Sequence, residues 1–156
     1  MLALHGGQNT SMNSPWRVAD RFAALGVATI AINGMGAGFG PDGTLTVTTT
    51  SGGSLTFPVG GRAVDSNGDG VFAAGEGGGA EAGSLVGDRD AHMQDVADYI
   101  HLIRTIEAGV DVDGHGIADL DSGKIFVYGH SRGGRQGISL AAVDPAVKAL
   151  AAESPG

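Results

Sequence analysis

The 156-residue chain contains no cysteine. Neither a disulfide nor a thiolate-held metal is open to it, and the compartment is left undecided on that score. Basic residues are few: nine Lys and Arg stand against seventeen Asp and Glu, a net charge of -8. That balance argues against nucleic acid or an anionic membrane surface as a partner. Long apolar runs are missing too. The longest, Phe22 to Ile32, is broken by Gly26 and is too short to span a bilayer.

What the chain has in excess is glycine, 29 residues in all, much of it between positions 34 and 87. With a hydrophobic fraction of 42%, this reads as one domain with a real core and long loops or an insertion, not disorder throughout. The excess acid falls in two Asp/Gly-rich runs, which points to cations. Met1 leads straight into Leu2-Ala3-Leu4-His5-Gly6-Gly7 with no signal-peptide pattern. The expectation is a single, truncated domain over residues 1–156.

Periodicity predicts an α/β order. Leu2-Ala3-Leu4 is a short strand candidate. Ser14 is a good N-cap with Pro15 at the first helical position, and the helix is predicted over 15–25. Val18, Phe22 and Leu25 share its apolar face, and Gly26 closes it. Val27-Ala28-Thr29-Ile30-Ala31-Ile32 is apolar throughout, as a strand buried on both faces would be. Residues 34–87 interrupt the rhythm as an insertion. Within it Leu45 and Val47, then Leu55, Phe57 and Val59, alternate around a Ser51-Gly52-Gly53 turn and predict a hairpin over the sheet's edge. A helix from about Asp90 to Ala108 follows, with Met93, Val96, Ala97, Ile100 and Ile103 as its buried face. Strands are expected at 124–128 and 147–151. The predicted fold is a parallel sheet with flanking helices and a hairpin and calcium-loop insertion.

The chemistry gathers at Gly129-His130-Ser131-Arg132-Gly133-Gly134. An apolar strand precedes it and a helical pattern up to Asp144-Pro145 follows, the setting that a Gly-x-Ser-x-Gly nucleophile elbow requires. Glycines at 129 and 133 let strand and helix approach where a Cβ would clash, and Ser131 is held strained with its hydroxyl exposed. The competing reading is a phosphate-binding turn, but no Gly-Lys-Ser/Thr ending is present and Arg132 follows the serine directly. Attack by Ser131 builds an oxyanion that needs two aimed N–H donors. One would be the amide of Arg132; the other would be Gly7 or Gln8 in the His-Gly-Gly turn. In such sheets ligands bind beyond the carboxyl ends of the strands. His5 to Gln8, Asn33 to Met35 and the elbow all reach that edge.

The pairing of His5-Gly6-Gly7 with Gly129-His130-Ser131-Arg132-Gly133 resembles the α/β-hydrolase superfamily. More narrowly, the chain resembles large secreted bacterial lipases and esterases with acidic, calcium-type loops before the elbow, on residues 61–65, 109–114 and 119–121. The resemblance implies a partial α/β-hydrolase fold, a small-molecule ester substrate, an extracellular or periplasmic location and no organic cofactor. It also implies a triad acid and histidine C-terminal to the elbow, yet no histidine follows His130. His92 and His101 fall on the long helix and His115 in an acidic loop; Glu153 is an acid candidate. Arg132 departs from the smaller or apolar residue commoner in lipases. A peptidase of prolyl-oligopeptidase type and an inactive calcium-binding interaction module stay open beside the esterase.

Asp65-Ser66-Asn67-Gly68-Asp69-Gly70-Val71 running on to Glu76 fits the calcium-loop pattern. The ligands would be Asp65, Asn67, Asp69, the Val71 carbonyl and bidentate Glu76, with Gly70 at the sharp turn. The second run, 111–119, places His115 where an oxygen is wanted and has no closing glutamate. It reads equally as a plain turn.

Overall fold

Ile125, Val127 and Gly129 alternate on one side of β4 (Ile125–His130) and are buried; Phe126 and Tyr128 on the other side are half-buried. This alternation marks a strand covered more completely on one face. The computed structural model describes residues 1–6, 13–72 and 85–156, with residues 13–17 described by backbone alone. β1 (Leu2–Leu4), β4 and β5 (Val147–Glu153) form a parallel sheet in the order β1-β4-β5. The class is mixed α/β.

The helices are α1 (Asn13–Ala23), α2 (Leu85–Ala108) and α3 (Arg132–Val143). Leu2 and Leu4 of β1 cluster with Val96, Tyr99, Ile103 and Ile106 of α2, with Ile125 and Val127 of β4, and with Leu140 of α3. A Cβ on Gly137 would press on Val127 and Leu150, so α3 lies close against β4 and β5. Fully burying one such aliphatic side chain stabilises the fold by about 1.5–3 kcal/mol. This cluster therefore fixes both helices on the sheet.

Several boundaries and faces differ from the sequence reading. α1 begins at Asn13, two residues before the expected start, and ends at Ala23; Gly26 takes φ 73°. Leu25 falls past the helix end and is 76% exposed, so it is no part of an apolar face. The run 27–32 makes a single parallel bridge, Ile30 to Leu2, flanked by the bonds Ala3 N to Ile30 O and Ile30 N to Met1 O. An apolar run supplies the propensity for a strand but not the partner. The buried side of α2 is Ala91, Asp95, Val96, Tyr99, Ile103 and Ile106, with Met93 and Ala97 exposed. The predicted face was rotated, and Asp95 lies within the true one.

The hairpin pairs β2 (Thr44–Thr48) with β3 (Ser54–Pro58) in antiparallel register, Leu45 opposite Phe57 and Val47 opposite Leu55. It forms a sheet of its own, and every β3 residue is exposed. Among the described residues it does not cover the edge of the main sheet as expected.

Candidate functional site

Ser131 follows the last residue of β4 and immediately precedes α3. Its backbone is at φ 54°, ψ -122°, a region that costs a non-glycine residue about 1–3 kcal/mol and persists only when its surroundings enforce it. Three hydrogen bonds do so: Ser131 N donates to Glu153 O at 2.9 Å, and Gly134 N and Arg135 N donate to Ser131 O at 2.8 and 3.3 Å. Glycine is required on either side. A Cβ at Gly129 would overlap the Gly133 carbonyl, and one at Gly133 would overlap the carbonyl groups of Leu4 and His5. Strand, turn and helix close on one another with no room for side chains.

Arg132 is the first residue of α3, so its amide lacks an intrahelical acceptor. Ser131 makes no side-chain capping bond. The helix N-terminus beside the hydroxyl thus presents an open donor and the positive end of the dipole. Gly7 and Gln8, the expected second donors, lie outside the described residues.

His5 is not free to serve the serine. Its ring is buried, Nδ1 donates to Gly6 O at 2.7 Å, and Nε2 accepts the Gly34 amide at 3.0 Å. That arrangement requires the neutral ring, and burial pushes its pKa down accordingly. The other histidines are also placed elsewhere. His92 Nε2 meets Ser139 Oγ at 3.0 Å between α2 and α3, His101 is exposed, and His115 lies in the second acidic loop. His130, at the end of β4, makes no bond to the Ser131 hydroxyl among the described residues. All five histidines of the chain are described, and none serves Ser131 as a base here.

Asp95, which the sequence reading passed over, is the charged group at the centre of this edge. It is 1% exposed. Oδ1 accepts the Met35 amide at 2.6 Å; Oδ2 accepts Arg132 Nη2 at 2.9 Å and also Gln136 Nε2. Burial raises its pKa above the usual carboxylate range, opposed by the Met35 amide and the Arg132 and Arg62 charges. A Cβ at Gly34 would stand 3.0 Å from the carboxylate. His5 and Asp95 together therefore tie loop 33–35 to the end of β1 and to α3. The sequence signal for Asp95 was a lone carboxylate within an apolar stripe, four residues after Ala91 and four before Tyr99.

Glu153 closes β5 with its side chain exposed and bonded to the Tyr128 hydroxyl. A groove lined by Met1, Ala28, Leu120, Lys124 and Phe126 opens at the opposite end of β1 and β4, too far along the strands to serve Ser131.

The two acidic runs fold on one frame. Asp65 Oδ1 accepts the amides of Gly68 and Asp69 and Oδ2 that of Gly70; Asp111 Oδ1 accepts those of Gly114 and His115 and Oδ2 that of Gly116. The glycines at 68, 70, 114 and 116 all take positive φ. In the first run Asn67 Nδ2 reaches Asp69 Oδ2 at 3.1 Å, and the Asp69 and Val71 amides are also satisfied within the loop. Glu76 lies outside the described residues. In the second, the Gly116 amide, with the His115 ring and the Gly114 amide, holds the Asp111 carboxyl below the usual carboxylate range. Ligand atoms of Asp111, Asp113, His115 and Asp119 lie within 4.8 Å of one another and could hold a metal ion. The run that read equally as a weak cation loop and as a plain turn is thus a compact donor cluster. No helix among the described residues is long and apolar enough to cross a membrane. Comparison with protein-family models, curated proteins and solved structures found no match.

Proposed function

We propose that this chain carries the nucleophile and oxyanion elements of a serine hydrolase of α/β-hydrolase type, acting on carboxylic esters. The observation that carries the reading is the enforced left-handed backbone of Ser131 between a parallel strand and a helix N-terminus. Strain of this kind is retained where a side chain must be presented. The parallel order of the Ile30 bridge, β1, β4 and β5 suits the same fold.

In the proposed reaction the Ser131 oxygen bonds to the ester carbonyl carbon and its proton passes to a base. The carbonyl electron pair moves onto oxygen, facing the Arg132 amide and, in this reading, Gly7 or Gln8. Collapse expels the alcohol, which takes up a proton, and water then cleaves the acyl-serine to release the acid. Loop 65–76 would hold a structural calcium ion through Asp65, Asn67, Asp69, the Val71 carbonyl and Glu76. This all-oxygen set suits calcium; His115 makes the second loop a less suitable one.

A calcium-binding interaction module without turnover is the second reading. It is favoured by the five histidine rings, none of which bonds to the Ser131 hydroxyl. An alkyl fluorophosphonate distinguishes the two. A single adduct at Ser131 at pH 9, absent from Ser131→Ala, is expected of the hydrolase; no adduct after prolonged exposure would favour the module.

A further inference from the structure

Two features of the elbow call for an explanation beyond nucleophile presentation. A cation at the first position of a helix opposes the dipole, yet α3 opens with Arg132, whose side chain is only 15% exposed. A buried carboxylate is strongly disfavoured unless it is paired and hydrogen-bonded, yet Asp95 is the only charged residue on the buried side of α2. Each offsets the other. Their 2.9 Å ion pair joins residues 37 positions apart.

The pair does more than cancel charge. Glycines at 129, 133 and 134 leave the turn few side chains with which to fix its orientation. Arg132 and Gln136, four apart and so on one face of α3, both donate to Asp95 Oδ2. The other oxygen holds the Met35 amide, and the preceding residue, Gly34, donates its own amide to His5. One carboxylate therefore clamps the first turn of α3 from the side chains while fixing loop 33–35 from the backbone. The amide that would bind the oxyanion belongs to Arg132 itself.

We propose that Asp95 is a positioning residue: through Arg132 and Gln136 it sets the first turn of α3 so that the Arg132 amide is aimed at the oxyanion formed on Ser131. The inference rests on the hydrolase reading above. A donor contributes to the rate only when it points at the place where charge develops, so a small rotation of the turn forfeits much of its effect. Asn at position 95 could accept the Met35 amide, but its NH2 group would face the Arg132 and Gln136 donors.

The test follows phosphonylation of Ser131 by an alkyl fluorophosphonate, in which the Oγ–P bond forms, fluoride leaves and the proton passes to solvent. The limiting rate kinact and the apparent affinity KI are measured by intact mass at temperatures where circular dichroism shows each variant folded. Asp95→Asn and Arg132→Gln are each expected to lower kinact about 10- to 100-fold, the lower end of the scale of one oxyanion donor, with KI unchanged. Arg132→Lys should stay within about threefold of wild type because it keeps the cation, and the double variant should be no slower than the slower single one. A purely structural role would lower the melting temperature and leave kinact intact.

Arg132→Gln labelled at the wild-type rate would overturn the inference even if Asp95→Asn failed to fold. So would a folded Asp95→Asn with wild-type kinact, or additive losses in the double variant. Wild type that is never labelled is a separate result, which overturns the hydrolase reading and this inference with it.

Discussion

The Nε2 atom of His5 accepts the amide of Gly34 at 3.0 Å, across 29 positions of sequence and inside the protein. Only the neutral ring can do this while Nδ1 donates to Gly6 O. Burial lowers the His5 pKa, so between that value and the unfolded value near 6.5 the unfolded chain binds more protons than the folded one. The contribution of His5 is therefore complete above about pH 6.5 and is lost as pH falls below it. Urea denaturation of wild type should show stability falling from pH 7.5 to 5.5. In His5→Gln that slope should be shallower; equal slopes would remove His5 as its source.

Relieving the elbow gives a second expectation. Ser131→Gly removes strain of about 1–3 kcal/mol and adds backbone entropy to the unfolded chain worth about 0.5–1 kcal/mol. The variant should melt at or above the wild-type temperature while losing all phosphonylation. Destabilisation by more than about 1 kcal/mol would mean that the φ of 54° is not a strained conformation here.

Gly133→Ala should behave in the opposite way. Its Cβ would enter the carbonyl groups of Leu4 and His5, and backbone cannot yield as a flexible side chain can. Overpacking of this kind costs about 1–3 kcal/mol. Gly114→Ala, with the same change in composition but open space around it, should cost only the left-handed conformation, about 1–2 kcal/mol. Thermal melts of the two variants side by side check the order; a milder effect at Gly133 would contradict the close approach of α3 to β1.

The rate of Ser131 labelling should carry no histidine titration. With none of the five rings bonded to the hydroxyl, its proton must pass to solvent. The rate should then rise about tenfold per pH unit from 7 to 10 without a plateau, and nitrophenyl-ester turnover should be orders of magnitude below that of a full triad. A sigmoid centred near pH 6.5 would instead reveal a histidine in contact with Ser131.

Calcium should stabilise the fold through the 65–76 loop, by mass action on the native state. The melting temperature should rise in calcium relative to chelator, and Asp65→Ala should abolish the rise because Asp65 also organises three loop amides. An increment retained in Asp65→Ala but lost in Asp111→Ala would move the cation to the second run.

The sequence made some of this legible and hid the rest for physical reasons. Strand β4, Ser131 and helix α3 could be read locally, because an apolar run, a glycine-flanked serine and a helical pattern are consecutive. The hairpin could be read from the alternation of Leu45 and Val47, then Leu55 and Phe57, around a glycine turn. Strand pairing could not: Val27 to Ile32 has the composition of a strand, but only Ile30 finds a neighbour. Asp95 was missed because the buried face of α2 was read from apolar residues alone, whereas its partners at 35, 132 and 136 are supplied by tertiary structure. The role of His5 was likewise set by Gly34, which no local pattern links to it. His115, with no closing glutamate, left the 111–119 run open between a cation loop and a plain turn, and the fold draws it in among three carboxylates.

The bond from Ser131 N to Glu153 O makes the last residue of β5 a catch on the elbow. Among the described residues β5 has a neighbour only in β4, so fraying of its outer side would reach this bond. If Glu153 lifted away, Ser131 would lose one of the three bonds that hold its backbone, and none of the contacts around Leu4, Tyr99 and Leu140 would need to break. The proposed nucleophile would then be disarmed by fraying at one edge, well before the protein unfolds. Exchange of the Ser131 amide proton, faster than that of Val127 at the centre of β4, would record the release.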